Sequence, residues 1–444
     1  MIYILLFTMI LFLVLSYRVF DRDIISPSVI VCIMFIICIT FATYNIDNWR
    51  IDYQFKTYMI LFLGLLSFII TGIIINYACK ISLRKKINKN YNNELKLYYL
   101  DKKIMFIFLV IDIGTTFFYF KEVYRISLLA GNDLGYLGMM SYYRGYVAYN
   151  SLAEGIPTLL TEFVKLCTAL GFVSIYIFIY NSIIKRDFKR DGYLIIFILL
   201  TMIQTVLGGG RGTILWLFST AFVASYITVM RKRNWKGYIN SKYIKDGILI
   251  LIVLLFGFYF LKNLIRIFNT TDSIVDYISA YAGGSIQLFD LYIKDPILPS
   301  KLVGQESFVG IYNTLDKLGF MDIASFYPNN SNLEFRLSNG ISIGNVYGAF
   351  RRYYHDFGIV GVCGLQMICS AFYHIYYNKI RTFNKSHKSD FYILLYSYLT
   401  YHLFMMPIDD IFFKNFISLN CITTVILLYV VYHIMSNVKI KLMR

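Results

Sequence analysis

Runs of about 15 to 22 nearly uncharged residues recur along the chain between short polar segments, the pattern of repeated bilayer spans rather than of a soluble core. They predict membrane-spanning helices over 1–17, 24–44, 58–78, 104–120, 156–180, 193–207, 212–230, 247–261, 357–378, 391–408 and 415–435. The expected fold is all-α, a polytopic membrane bundle of about 11 transmembrane helices. The first run lacks a basic n-region and an A-x-A cleavage site, so it reads as a retained helix. With no internal repeat and no Gly/Ser/Pro-rich linker, residues 1–444 read as a single bundle.

Two polar segments interrupt the pattern. The shorter, 121–155, contains LLAGNDLGYLGMMSYYRGYVAYN, whose glycines and aromatics predict a short re-entrant or interfacial helix. The longer, 262–356, far exceeds an ordinary connection, and loops of that length are usually functional or disordered. Its composition argues for order. Apolar residues recur at helical spacing in SIVDYISAYAGGSIQLFDLYI, with Thr271 or Asp272 as N-cap, and again in SFVGIYNTLDKLGF, while Pro296 and Pro299 separate the pieces. The segment is expected to form a helical cap inserted between two spans.

Charge changes the picture by giving it a direction. The chain is 58% hydrophobic and 16% charged, with a formal charge of +17. With the N-terminus outside, the cytoplasmic loops hold about 27 Lys and Arg against 8 Asp and Glu, and the outer segments about 15 against 16. A basic excess confined to short loops reflects membrane orientation, so no nucleic-acid partner is expected. The long loop is then periplasmic and the C-terminus cytoplasmic. All seven cysteines fall in or beside spans, and no disulfide is expected. The 40 Tyr and 38 Phe fit interfacial belts and lipid-facing surface, with stacking on sugars as the alternative.

The sequence carries no GxxxxGK[ST], HExxH or GxSxG and no Cys/His metal spacing, so neither nucleotide-driven chemistry nor a metal or other cofactor is expected. Of five histidines, only His355 is outer. The pairs Asp21/Asp23 and Asp409/Asp410 read as solvated turns or charge anchors, with metal binding as the alternative. In the turn Leu207 to Thr213, three consecutive glycines and a helix start could present N–H groups to an anion, with Arg211 forking onto phosphate oxygens. An interhelical turn with Arg211 snorkelling to headgroups explains it equally well. Asp112, Glu162 and Lys165 should face the bundle interior, with Glu162 and Lys165 close enough to pair, and Glu162 also within reach of an outer cavity. The stretch from Asn339 to Gly361 sets polar, cationic and aromatic groups at the mouth of the ninth span. Read as helix, it puts Asn345, Arg352 and Asp356 on one face, with Arg352 holding Asp356 ionised and Gly358 and Gly361 allowing close approach to a neighbour.

The N-x-Y…DFGxxG segment of Asn345, Tyr347, Asp356, Phe357, Gly358 and Gly361, the Gly-Gly-Gly-Arg-Gly turn and the plan of many spans with one long late loop resemble the Wzy-type polymerases. These join undecaprenyl-diphosphate-linked oligosaccharide repeat units into O-antigen or capsule chains. Arg144, followed by ten residues and Gly155, is similar to an arginine-glycine spacing of their outer loops. Related O-antigen ligases carry a histidine and a glutamate where this chain has Gly344 and Asp356, which favours polymerase over ligase. The resemblance implies a bacterial inner-membrane glycosyltransferase whose partners are the lipid-linked oligosaccharide, membrane lipid and a chain-length regulator protein. Such transfer needs cations beside a leaving diphosphate and a base for the acceptor hydroxyl. Arg144, Arg211, Arg266, Arg336, Arg351 and Arg352 are all outer, and Asp356, His355 and Glu162 are candidate bases. A lipid-linked-oligosaccharide flippase is the main rival, though flippases usually show duplicated halves and short loops.

Overall fold

The computed structural model describes residues 1–84, 95–150, 153–185, 189–236, 245, 256–257, 259–262, 273–323, 325–326, 332–383 and 385–437. In chain order the helices are α1 (Ile2–Val19), α2 (Pro27–Tyr44), the single turn α3 (Ile46–Trp49), α4 (Phe55–Arg84), α5 (Lys102–Leu129), α6 (Met139–Tyr149), α7 (Thr158–Lys185), α8 (Leu194–Leu207) and α9 (Gly212–Lys232). After them come α10 (Ile274–Lys294), α11 (Val309–Lys317), the antiparallel hairpin β1 (Arg336–Ser338) and β2 (Ile341–Gly344), and α12 (Ala349–Ile380). The chain closes with α13 (His387–Leu399), α14 (Tyr401–Met405), a π turn (Phe412–Phe416) and α15 (Leu419–Asn437).

Among the described residues, eight helices are long and apolar enough to cross a membrane: α1, α2, α4, α5, α7, α9, α12 and α15. They answer to eight of the eleven expected runs. Their outward faces carry large apolar side chains such as Phe7, Ile74, Phe106 and Val360, exposed by 61% to 84%, which only lipid can cover. The chain is thus an all-α, multi-pass membrane protein. Of the other three runs, 193–207 forms the 14-residue α8, 391–408 is divided between α13 and α14, and 247–261 lies almost wholly outside the described residues.

Local chemistry sets the element starts. Pro27 opens α2 at the position where a missing N–H costs nothing, and the Asp101 carboxylate caps α5 by accepting the Lys103 N–H at 2.8 Å. Ser273 caps α10, accepting the Asp276 N–H at 3.1 Å, where the sequence pointed to Thr271 or Asp272, both outside the described residues. The 121–155 segment does contain a helix, α6. The long segment is less purely helical than expected, because the turn at Asn339 and Gly340, both with positive φ, folds 336–344 into a hairpin.

Helices α4 and α12 run parallel, joined at their middle by Ser370, whose hydroxyl donates to Phe68 O at 2.6 Å. Helix α10 packs on the C-terminal half of α2, where a Cβ on Gly283 would stand 2.5 Å from the Ala42 backbone. Asp290 of α10 accepts the Gln54 N–H at 2.9 Å and the Thr57 hydroxyl at 2.6 Å, fixing the start of α4. With the bond from Arg211 at the start of α9 to Tyr277, these ties collect the starts of α4, α9 and α12 and the described residues of 273–356 at one end of the bundle, called here the loop end.

Candidate functional site

Two arginine groups stand at the loop end, both docked on α10. The first begins α12. Arg351 is fully buried, with its guanidinium 4.3 Å from the Tyr292 ring centroid and 5.3 Å from that of Tyr347. One side of its fork meets Glu334 at 2.9 and 3.2 Å and the other pairs with Glu306. Arg336 reaches the same Glu334 and donates to Leu291 O at 3.2 Å and Asp295 O at 2.6 Å, so the hairpin is tied to the end of α10. Burial opposes the charge of Arg336, but Tyr347 and Glu334 beside it outweigh that and hold its pKa above the ordinary value. Tyr347 itself donates to Glu334 at 3.1 Å and is buried, which pushes its phenol up.

Arg352 turns the other way, donating to Glu306 O at 3.2 Å with its Nε 3.9 Å from Asp409. His355 Nδ1 meets the Tyr292 hydroxyl at 2.9 Å and its Nε2 lies 3.6 Å from Glu306. Asp410, buried next to Asp409, accepts the Tyr353 hydroxyl at 3.0 Å. Burial, with Asp409 adding to it, pushes the Asp410 carboxyl up to about 7.

Several expectations are corrected here. Helix α12 starts at Ala349, so Asn345 precedes it, shares no helical face with Arg352, and donates to Leu333 O at 3.2 Å. The expected Arg352–Asp356 pair is not formed. Asp356 instead accepts the Ser300 hydroxyl at 2.9 Å, the Glu306 N–H at 3.1 Å and the Ser307 N–H at 2.7 Å, which makes it the anchor of the 300–307 loop. Gly358 serves conformation rather than close approach: its φ of 64° and ψ of −156° break α12, and a Cβ there would meet nothing within 4 Å. Asp23 is buried beneath the Tyr226 and Tyr377 hydroxyls, both at 2.6 Å, and Asp410 is buried too, so neither lies in a solvated turn. Glu162 pairs with Lys165 at 2.6 Å, as its spacing suggested, and neither joins the arginine groups. Asp112 is buried against Gln204 at 2.9 Å. Arg266 lies outside the described residues.

The second group surrounds the glycine turn between α8 and α9. Gly209 has a φ of +68°, and a Cβ there would strike Arg144, whose guanidinium donates to Gly209 O. Arg211 precedes the first turn of α9 and donates to the Tyr277 hydroxyl at 2.6 Å and the Tyr281 hydroxyl at 3.3 Å on α10. Lys262 approaches the Tyr277 ring to 4.6 Å. Fifteen residues separate Tyr277 from Tyr292, so α10 spaces the two groups by about 22 Å along its axis.

Sequence reasoning missed Glu306, Glu334 and Tyr292, the groups that organise the first site. The signal available was the acidic content of the outer segments, which matches their basic content. The glycine turn sets the guanidinium groups of Arg144 and Arg211 beside a helix N-terminus, the chemistry of an anion site, while His355 and Glu306 lie in the other group. Among the described residues, no group of three or more His, Cys, Asp or Glu side chains could hold a metal ion. No family model matches the chain, and neither a curated protein nor a solved structure matches it.

Proposed function

We propose that the chain is a membrane glycosyltransferase that polymerises oligosaccharide repeat units carried on a polyprenyl diphosphate. It works in the bacterial inner membrane, with the loop end periplasmic and the C-terminus cytoplasmic. The observation that carries this reading is the gathering of Arg144, Arg211, Arg336, Arg351 and Arg352 at one end of the bundle, with Arg211 and Arg351 both docked on tyrosines of α10.

The two groups divide the work. Arg351 and Arg336 are matched by Glu306, Glu334 and Asp295, so they hold the site's shape. Arg144 and Arg211 flank a glycine turn at a helix N-terminus and take the diphosphate. The acceptor hydroxyl oxygen bonds to the anomeric carbon of the donor sugar while the bond from that carbon to the diphosphate oxygen breaks. The diphosphate leaves with the electron pair and takes up the hydroxyl proton, while His355, which meets Tyr292 and Glu306 about 22 Å away along α10, belongs to the group that holds the site's shape. Asp356 positions the loop that carries Glu306. A chain-length regulator is the protein partner this activity implies.

The test is the surface-polysaccharide ladder of a deletion strain carrying each variant. Arg211→Ala should abolish long chains, and Arg211→Lys should restore little, since a point charge does not replace a bidentate fork. Full ladders from both at normal protein level remove the reading. Loss of single capped units in the deletion strain would point to a flippase or ligase instead. Orientation is checked by labelling: a cysteine at Leu298, 87% exposed, should react from outside, and one at the exposed Lys236 should not.

A further inference from the structure

A pocket of about 410 Å³ opens between α11, the π turn and the first turns of α15, with α9 and α13 behind it. It is built, not incidental. Gly310 lets α11 lie against the π turn, since a Cβ there would stand 2.4 Å from Lys414 O. Thr314 accepts the Leu419 N–H at 3.0 Å and so caps α15, binding three elements into one frame. The back wall is aromatic. Trp216 stacks on Tyr398 and Tyr401 at centroid distances of 4.5 and 4.8 Å, and its indole N–H donates to Tyr398 O at 2.6 Å. The rim is polar, with Asn313, Asn415, Asn420 and Lys317 around the opening. Among the described residues, the three rim amides make no side-chain hydrogen bond within the chain.

We propose that this pocket binds a saccharide. Each asparagine amide offers two donors and an acceptor, and a sugar hydroxyl is itself donor and acceptor, so three unengaged amides match a neutral polyhydroxylated ligand. An apolar ligand would cover those amides without pairing them, which is unfavourable. The aromatic wall suits the C–H face of a sugar ring, and the volume lies in the range of small-ligand sites. The position adds a second argument. Lys414 on the pocket wall pairs with Asp409 at 2.9 Å, and Asp409 faces Arg352, while Trp216 follows Arg211 by five residues on α9. The pocket is thus linked to Arg352 through Lys414 and Asp409 and shares α9 with Arg211. Only the source of the sugar, as the acceptor or donor end of a lipid-linked chain, rests on the polymerase reading.

The test is a titration of the purified full-length protein in detergent with N-acetylhexosamines, hexoses and deoxyhexoses, read by tryptophan fluorescence. At least one sugar should give a saturable change that disappears in Trp216→Phe and weakens tenfold or more in the double variant Asn313→Leu, Asn420→Leu, both exposed positions. No saturable change with any sugar, or one that both variants leave intact, overturns the proposal. Failure of the polymerase reading shows separately: sugar binding would persist while the Arg211 variants keep a normal ladder.

Discussion

The two ends of the bundle both bury arginine against carboxylate, but they recruit partners differently. At the end opposite the loop, Arg231 of α9 pairs with Asp390 of α13 at 2.5 Å, and the same carboxylate accepts the Tyr98 hydroxyl at 2.8 Å, which also meets Tyr432 of α15 at 2.6 Å. Asp23 is closed in the same way by phenols of α9 and α12. Here a single buried arginine meets a buried carboxylate, and most partners belong to the spans themselves. At the loop end two neighbouring arginines, Arg351 and Arg352, meet Glu306, Glu334 and Asp409, all contributed by connecting segments. The first arrangement locks helices together. The second can be rearranged by moving a loop.

The largest effect is expected at Arg231. Arg231→Ala leaves Asp390 buried without its cation and should cost about 3–5 kcal/mol. Thermal unfolding in detergent should show the loss, and any fall in activity should follow protein level alone. An Arg231→Ala protein of normal stability would mean the opposite end is not a lock.

Asp410 sharpens the contrast through pH. Its folded pKa of about 7 lies above the ordinary carboxylate value, so between about pH 4 and 7 the unfolded chain has lost a proton that the folded chain keeps. Stability should fall as pH rises through that window and level off above it. Asp409, Arg352, Tyr353 and His402 surround the group and are present in both proteins. The measured quantity is therefore the difference in melting temperature between wild type and Asp410→Asn. It should change with pH across the window, and a constant difference would reject the buried, protonated carboxyl.

Asp356→Asn should cost about 1.5–3 kcal/mol, because the amide cannot accept from the Ser300 hydroxyl and both the Glu306 and Ser307 N–H groups. Limited proteolysis should then cut the 300–307 loop faster while the spans stay protected. Unchanged cleavage would return Asp356 to consideration as a base. The smallest effect is expected at the glycine turn, where Gly209→Ala adds about 1–2 kcal/mol of backbone strain and displaces Arg144. The chain should still insert, with its polysaccharide ladder shortened. A full-length ladder would separate Arg144 from the site.

The spans were readable because lipid exposure demands long apolar runs, and the Glu162–Lys165 pair because its geometry is local to one helix. The partners of Arg351, Arg352 and Asp356 were not, since Glu306, Glu334, Asp409 and Ser307 reach them only when separate connecting segments fold over the mouth of α12. The helical face drawn through Asn345, Arg352 and Asp356 failed for a related reason. Positive φ at Asn339, Gly340 and Gly344 turns that stretch into a hairpin, and periodicity alone does not reveal the turn. The break of the 391–408 run at Thr400 was hidden likewise, because the apolar pattern continues through it.

The break at Gly358 has a consequence for how the protein sits in bilayers of different thickness. A span adjusts to a thinner or thicker hydrocarbon layer by tilting, and in a continuous helix that tilt would swing everything at its end. Here the residues after the break can tilt while the short segment before it, carrying Arg351, Arg352 and His355, stays pinned to the loop through Glu306 and Glu334. The geometry of the site is thereby insulated from the composition of the surrounding lipid.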